Sequence, residues 1–225
     1  MQLKAILFDA DNTLYTTAEA AKIADKEVIK FLAENSKLTP RELKTEWKKI
    51  VLGIRHSLDP GMHERRYSYG ELIKKLNLKD EVEDVLERFS AIFLSHLKPA
   101  PGIPEALEKD LQPFEKAILS ESEKDYMLVK LRHLDLRRYF DLVIGNEDVG
   151  AKLKPDPSYY ILAFKELQVK PEECLMIGDH YEKDLEIAQK RFGLKVIYFG
   201  KAEARADACI QTFERVGEVI KDIWK

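Results

Sequence analysis

Along this chain, runs of consecutive apolar residues alternate with stretches in which apolar positions recur every three or four residues. Five short runs, at residues 3–8, 117–119, 142–144, 175–177 and 196–199, are apolar on both faces. Strands of a parallel sheet covered on both sides by helices need that pattern. A weaker run lies at 208–210. Between the runs, Leu128, Leu131 and Leu134 mark one face of a helix over 125–135. Residues 157–167 and 181–192 read as further helices, and 213–224 as a closing one. Strands alternating with helices predict an α/β fold built on a doubly wound parallel sheet.

Residues 16–98 break the alternation and read as helix only. Ala21, Ala24, Val28 and Phe31 keep one face of a first helix apolar. Thr39, Pro40 and Glu42 form a capping box with proline in the first turn. Val82, Val85, Phe89 and Phe93 stripe a helix over 80–97, after which Pro99, Pro101, Gly102 and Pro104 turn the chain. The expected organisation is a core of residues 1–15 and 99–225, with a small α-helical domain, 16–98, inserted after the first strand.

Composition narrows the partners. At 225 residues the chain is long enough for one filled α/β core and a smaller domain. Charged residues reach 34%, against roughly 25% in ordinary domains, which suits surface ion-pair networks. The net charge is −3 with the signs interspersed, so no basic stripe marks a nucleic-acid partner. Cys174 and Cys209 both sit in apolar, strand-like contexts and are expected to be buried thiols. No run approaches the ~18 apolar residues of a membrane span, and the first apolar run ends early, at Asp9. A cytoplasmic protein is expected.

The chemistry gathers where strands end. Asp9-Ala10-Asp11-Asn12-Thr13 follows the first strand, and carboxylates this close raise each other's pKa unless a cation intervenes. Ser120 closes the second strand. After the third comes Lys152-Leu153-Lys154-Pro155-Asp156-Pro157, and the fourth ends in Gly178-Asp179, with Asp184 five residues on. Taken singly, each has a plain structural explanation: a turn, a helix cap, a solvated lysine. Together they collect polar groups at the carboxyl edge of the sheet, where open α/β folds bind ligands.

This arrangement resembles the haloacid dehalogenase-like (HAD) superfamily over nearly the whole chain. Asp9, Asp11 and Thr13 match its DxDx[TV] motif, Ser120 its strand-closing hydroxyl, Lys154 its lysine, and Gly178, Asp179 and Asp184 its GDxxxxD acidic pair. The resemblance implies a Rossmann-like core with a helical cap, and a Mg²⁺-dependent phosphatase acting on a small-molecule phosphate ester. It makes Asp9 the nucleophile and Asp11 the acid/base, with Ser120 and Lys154 binding phosphate oxygens. The metal group would be Asp9, Asp11 through its backbone carbonyl, Asp179 and Asp184. Asp11 argues against a dehalogenase, because halide leaves without a proton.

Two positions depart from the family pattern. Glu121 follows Ser120 where asparagine is common, and would repel phosphate if it faced inward. His180 and Tyr181 stand where small residues are common. Arg55, His56, Arg65, Arg66, Tyr67 and Tyr69 are candidate substrate readers in the helical insert. A phosphomutase of the same fold, or a non-catalytic phosphate- or metal-binding protein, is the alternative.

Overall fold

The computed structural model describes residues 2–54 and 65–225. The chain divides into two compact units, one made of residues up to Thr17 with Lys98–Lys225, the other of Ala18–Leu97.

The first unit is built on six strands, β1 (Ala5–Phe8), β2 (Glu115–Leu119), β3 (Leu142–Ile144), β4 (Cys174–Gly178), β5 (Lys195–Phe199) and β6 (Ala208–Ile210). They pair in the order β3-β2-β1-β4-β5-β6, all parallel, so β1 lies where the chain's two halves meet. Successive β1 residues face opposite layers. Leu7 joins Met176, Val196, Tyr160 and Leu185 on one side. On the other, the Phe8 ring meets Phe140 edge-on at 5.8 Å and Phe213 at 6.4 Å. Burial on both faces explains why these strands read as unbroken apolar runs.

The connecting helices differ in detail from the sequence pattern. The helix after β2, Lys124–His133, buries Met127, Lys130 and Leu131 rather than a Leu128–Leu131–Leu134 face. The cause is Lys130, which is itself buried and donates to the half-buried Asp11. The helix expected over 181–192 is two pieces, a single π-helical turn at Tyr181–Leu185 and then an α-helix, Glu186–Phe192. Cys174 is buried, but Cys209 is exposed. It lies on the outermost strand, and its Sγ accepts from the Glu203 N–H at 3.2 Å.

The second unit holds α1 (Thr17–Glu34, beginning one residue before the boundary), α2 (Pro40–Ile54), α3 (Arg65–Leu76) and α4 (Val82–His96). The cap of α2 is reciprocal: the Thr39 N–H donates to Glu42 Oε2 at 2.8 Å, and the Glu42 N–H to Thr39 Oγ1 at 3.3 Å. Helix α1 buries Ala20, Ala24, Val28, Ile29 and Leu32, and also Asp25. Arg65 grips both Asp25 oxygens, at 2.9 and 3.1 Å, and the Tyr69 hydroxyl donates to Oδ1 at 2.6 Å. The Arg65 guanidinium also lies 5.3 Å from the Phe89 ring. Burial still pushes the Asp25 carboxyl up, against the opposing pull of Arg65 and Tyr69. Among the described residues, no helix is long and apolar enough to cross a membrane.

Candidate active site

Three carboxylates converge at the carboxyl edge of the sheet. Asp9 follows β1 directly and Asp179 follows β4, the strand beside it. Phe8 is in register with Ile177, and the Asp9 N–H donates to the Ile177 carbonyl at 2.9 Å. Asp184 reaches the same point because the π-helical turn brings it back over Gly178. A Cβ on Gly178 would lie 2.7 Å from the Asp184 Cβ and 3.0 Å from its Oδ2, so only glycine permits this approach. One oxygen from each of Asp9, Asp179 and Asp184 lies within 4.8 Å of the others.

Lys154, in the loop between β3 and Ser158–Leu167, supplies the positive charge. Its Nζ donates to Asp9 Oδ1 at 2.6 Å and to Asp184 Oδ1 at 2.8 Å. Its backbone N–H donates to Glu121 Oε1 at 2.8 Å, while Glu121 Oε2 accepts from Lys183 Nζ at 2.9 Å. Both Glu121 oxygens are therefore engaged by lysines, one through its main chain, and the residue holds the Lys154 loop. Thr13 Oγ1 donates to the other Asp9 oxygen at 3.3 Å. Ser120 is buried at the end of β2, with its N–H on the Ile144 carbonyl at 3.0 Å. Asp184 is held by the His180 N–H, and its carbonyl accepts from the Tyr160 hydroxyl.

The acids outnumber the cation, and their proton affinities show it. Burial pushes the Asp9 carboxyl up to about 8, Asp184 and Asp179 add to the rise, and Lys154 opposes it. Burial and then Asp184 push Asp179 up to about 6. For Lys154, burial disfavours the charge, but Asp184 and Asp9 outweigh it and hold the ammonium well above its usual range. Three converging carboxylates with one lysine leave an excess of negative charge and carboxylate oxygen donors, the donor chemistry that a hard divalent cation such as Mg²⁺ takes.

Residues 3–190 match the haloacid dehalogenase-like hydrolases. The chain belongs to that family. It is 28% identical over 195 residues to the glyceraldehyde 3-phosphate phosphatase of Methanopyrus kandleri, covering 84% of this chain and 80% of the relative. It is 32% identical to the phosphorylated carbohydrates phosphatase of Thermotoga maritima, over 68% of this chain and 75% of that one. A solved HAD phosphatase from Thermococcus onnurineus superposes with a TM-score of 0.75 at 27% identity, over 97% of this chain and 98% of the other. These relatives place the HAD chain in the family's phosphatase branch.

The remaining motif residue, Asp11, keeps its side chain apart from the acid cluster. Lys130 Nζ donates to its Oδ1 at 2.6 Å and Ser122 Oγ to its Oδ2 at 2.9 Å. Lys130 itself lies 5.2 Å from the ring centres of Tyr15 and Tyr126. Sequence reasoning missed Lys130, Ser122 and Lys183. Ser122 carried a weak signal, two residues after Ser120; a lysine between helical leucines carried none. His180 is exposed, with Nδ1 3.5 Å from Glu182 Oε2. Of the candidate readers, Arg65 and Tyr69 are occupied with Asp25, and Arg66 pairs with Glu83. Tyr67 is half-buried, and Arg55 and His56 lie outside the described residues.

Proposed function

We propose that this HAD phosphatase is a Mg²⁺-dependent phosphomonoesterase of a small phosphorylated carbohydrate, working through an aspartyl-phosphate on Asp9. The convergence of Asp9, Asp179 and Asp184 around the Lys154 ammonium carries this reading. The substrate class rests on the named activities of the relatives. The helical unit is then a cap that closes over the bound ester and excludes water.

An Asp9 carboxylate oxygen attacks phosphorus while the ester oxygen–phosphorus bond breaks, and Asp11 protonates the departing alkoxide. Water then attacks the phosphorus of the aspartyl-phosphate, Asp11 takes its proton, and the bond to Asp9 breaks to release inorganic phosphate. Lys154 and Ser120 hold the non-bridging oxygens as charge shifts among them. Asp9, Asp179 and the Asp11 backbone carbonyl would hold Mg²⁺, with Asp184 fixing the Asp179 side of the shell. The bound ion supplies charge neutralisation between the anionic ester and the anionic nucleophile.

The test is release of p-nitrophenol from p-nitrophenyl phosphate with Mg²⁺, with chelator, and by Asp9→Asn. Turnover confined to the Mg²⁺-loaded wild type supports the mechanism. Full activity in Asp9→Asn would overturn it.

A further inference from the structure

The helical unit contains a cavity of about 640 Å³ that opens between α1 and α2. Its rim is cationic at helical spacing. Lys22, Lys26 and Lys30 follow one another at every fourth residue of α1, and Arg41, Lys44 and Lys48 at steps of three and four on α2. Side chains so spaced share one face, and here the two faces line the same space. Like charges stacked on one helix destabilise it unless something of opposite charge intervenes.

Among the described residues, the chain's own acids do not intervene. Asp25, the only acid in the lining among the described residues, is taken by Arg65 and Tyr69. Of the acids on α2, Glu42 is tied into the Thr39 cap, and Glu46 is held by Lys49 and Lys75, at 2.6 and 2.9 Å. Glu27 pairs with Lys30 at 2.6 Å, which leaves Lys22, Lys26, Arg41, Lys44 and Lys48 without an ion pair among the described residues. The walls, by contrast, are apolar, formed by Ile29, Pro40 and the Trp47 ring, which is stacked on Tyr69 at 6.0 Å. An aromatic wall beneath two rows of cations, most of them without an acid partner among the described residues, complements a ligand that is apolar in its body and anionic at its end.

We propose that this cavity binds a small organic anion with an apolar body, such as a carboxylate, sulfonate or phosphate. It shares no residue with the acid cluster, and the proposal stands whether or not Asp9 is the nucleophile.

The probe is p-toluenesulfonate, which has no phosphorus to hydrolyse. The protein has two tryptophans, so Trp224→Phe leaves Trp47 as the only indole reporter. Titration should give a saturable change in Trp47 fluorescence, matched by calorimetry and unchanged in added Asp9→Asn. Raising salt from 0.1 to 1 M shortens screening from about 10 to about 3 Å and should weaken binding. Lys26→Glu with Lys44→Glu should weaken it about tenfold or more, and the Gln pair less. Circular dichroism melts check that each variant is folded. Four outcomes would overturn the proposal: no saturable change, equal binding of uncharged methyl p-tolyl sulfone, no effect in a folded charge-reversed variant, or a signal that tracks protein concentration. The last would mean that a second copy of the chain covers the groove.

Discussion

Replacing Lys130 with Met removes the ammonium that holds Asp11 while keeping an unbranched side chain of similar length between Tyr15 and Tyr126. The lysine side chain is 3% exposed and that of Asp11 33% exposed, so the freed carboxylate still reaches water and keeps its bond from Ser122. Stability should therefore change little, since a partly solvated pair contributes weakly. Catalysis should change more. A hydrogen bond to a charged group is worth about 1.5–3 kcal/mol, and if Asp11 is correctly aimed only with it, turnover falls about tenfold to a hundredfold. The loss should depend on the leaving group. An alkoxide needs the Asp11 proton, whereas p-nitrophenolate leaves without one. The assay is kcat and KM for Lys130→Met on glycerol 3-phosphate and on p-nitrophenyl phosphate, with a melting curve. The reasoning predicts a large loss of kcat/KM, which reports the phosphorylation step alone, on the first and a small one on the second, while kcat falls on both wherever the shared water-activation step limits turnover. Equal losses of kcat/KM on both, accompanied by a lower Tm, would show that Lys130 merely supports the fold.

Three further outcomes follow from the same geometry. Asp9 goes from its ordinary 3.8 to about 8 and Asp179 to about 6 in the folded protein, so the fold binds protons that the unfolded chain releases between those values. In chelator, stability is then greatest at low pH within this window and falls as pH rises toward 8; Mg²⁺ should flatten the slope, and a chelated Tm that climbs with pH would contradict the assignment. Gly178→Ala puts a methyl 2.7 Å from the Asp184 Cβ and should weaken Mg²⁺ binding by calorimetry more than it lowers Tm; unaltered affinity would mean that Asp184 yields freely. Glu121→Ala releases the Lys154 N–H and Lys183, and should raise KM several-fold while leaving Asp9 chemistry intact; a fall in KM would show that Glu121 repels substrate instead.

The parts of the fold that could be read from the chain are those governed by burial alone. β1 and β4 are buried on both faces, so their apolar runs could belong to little else. Asp9, Ser120 and Asp179 were legible because each immediately follows such a strand, and the edge of a doubly wound sheet is where polar groups at strand ends meet. Illegible were the charges whose partners lie far along the chain. Lys130 and Asp11 are 119 residues apart, and Asp25 and Arg65 are 40 apart, so neither pairing leaves a local pattern. The buried faces of α1 and of the helix over Lys124–His133 were misjudged for that reason: each buries a charge that apolar periodicity leaves out. Cys209 was misjudged because an apolar neighbourhood does not tell an outer strand from an inner one. The position of Glu121 was noticed, but its bond to the Lys154 backbone, 33 residues away, depends on a loop conformation that no local pattern encodes.

The central claim is that phosphate passes through the Asp9 carboxylate, and chemical trapping addresses it directly. Enzyme turning over substrate with Mg²⁺ is quenched within milliseconds and treated with borohydride, which reduces an acyl phosphate to the alcohol. Peptide mapping by mass spectrometry should find homoserine at position 9, absent without substrate and absent in Asp9→Asn. Reduction at another aspartate, or none at any carboxylate in a preparation that is demonstrably turning over, would contradict the account.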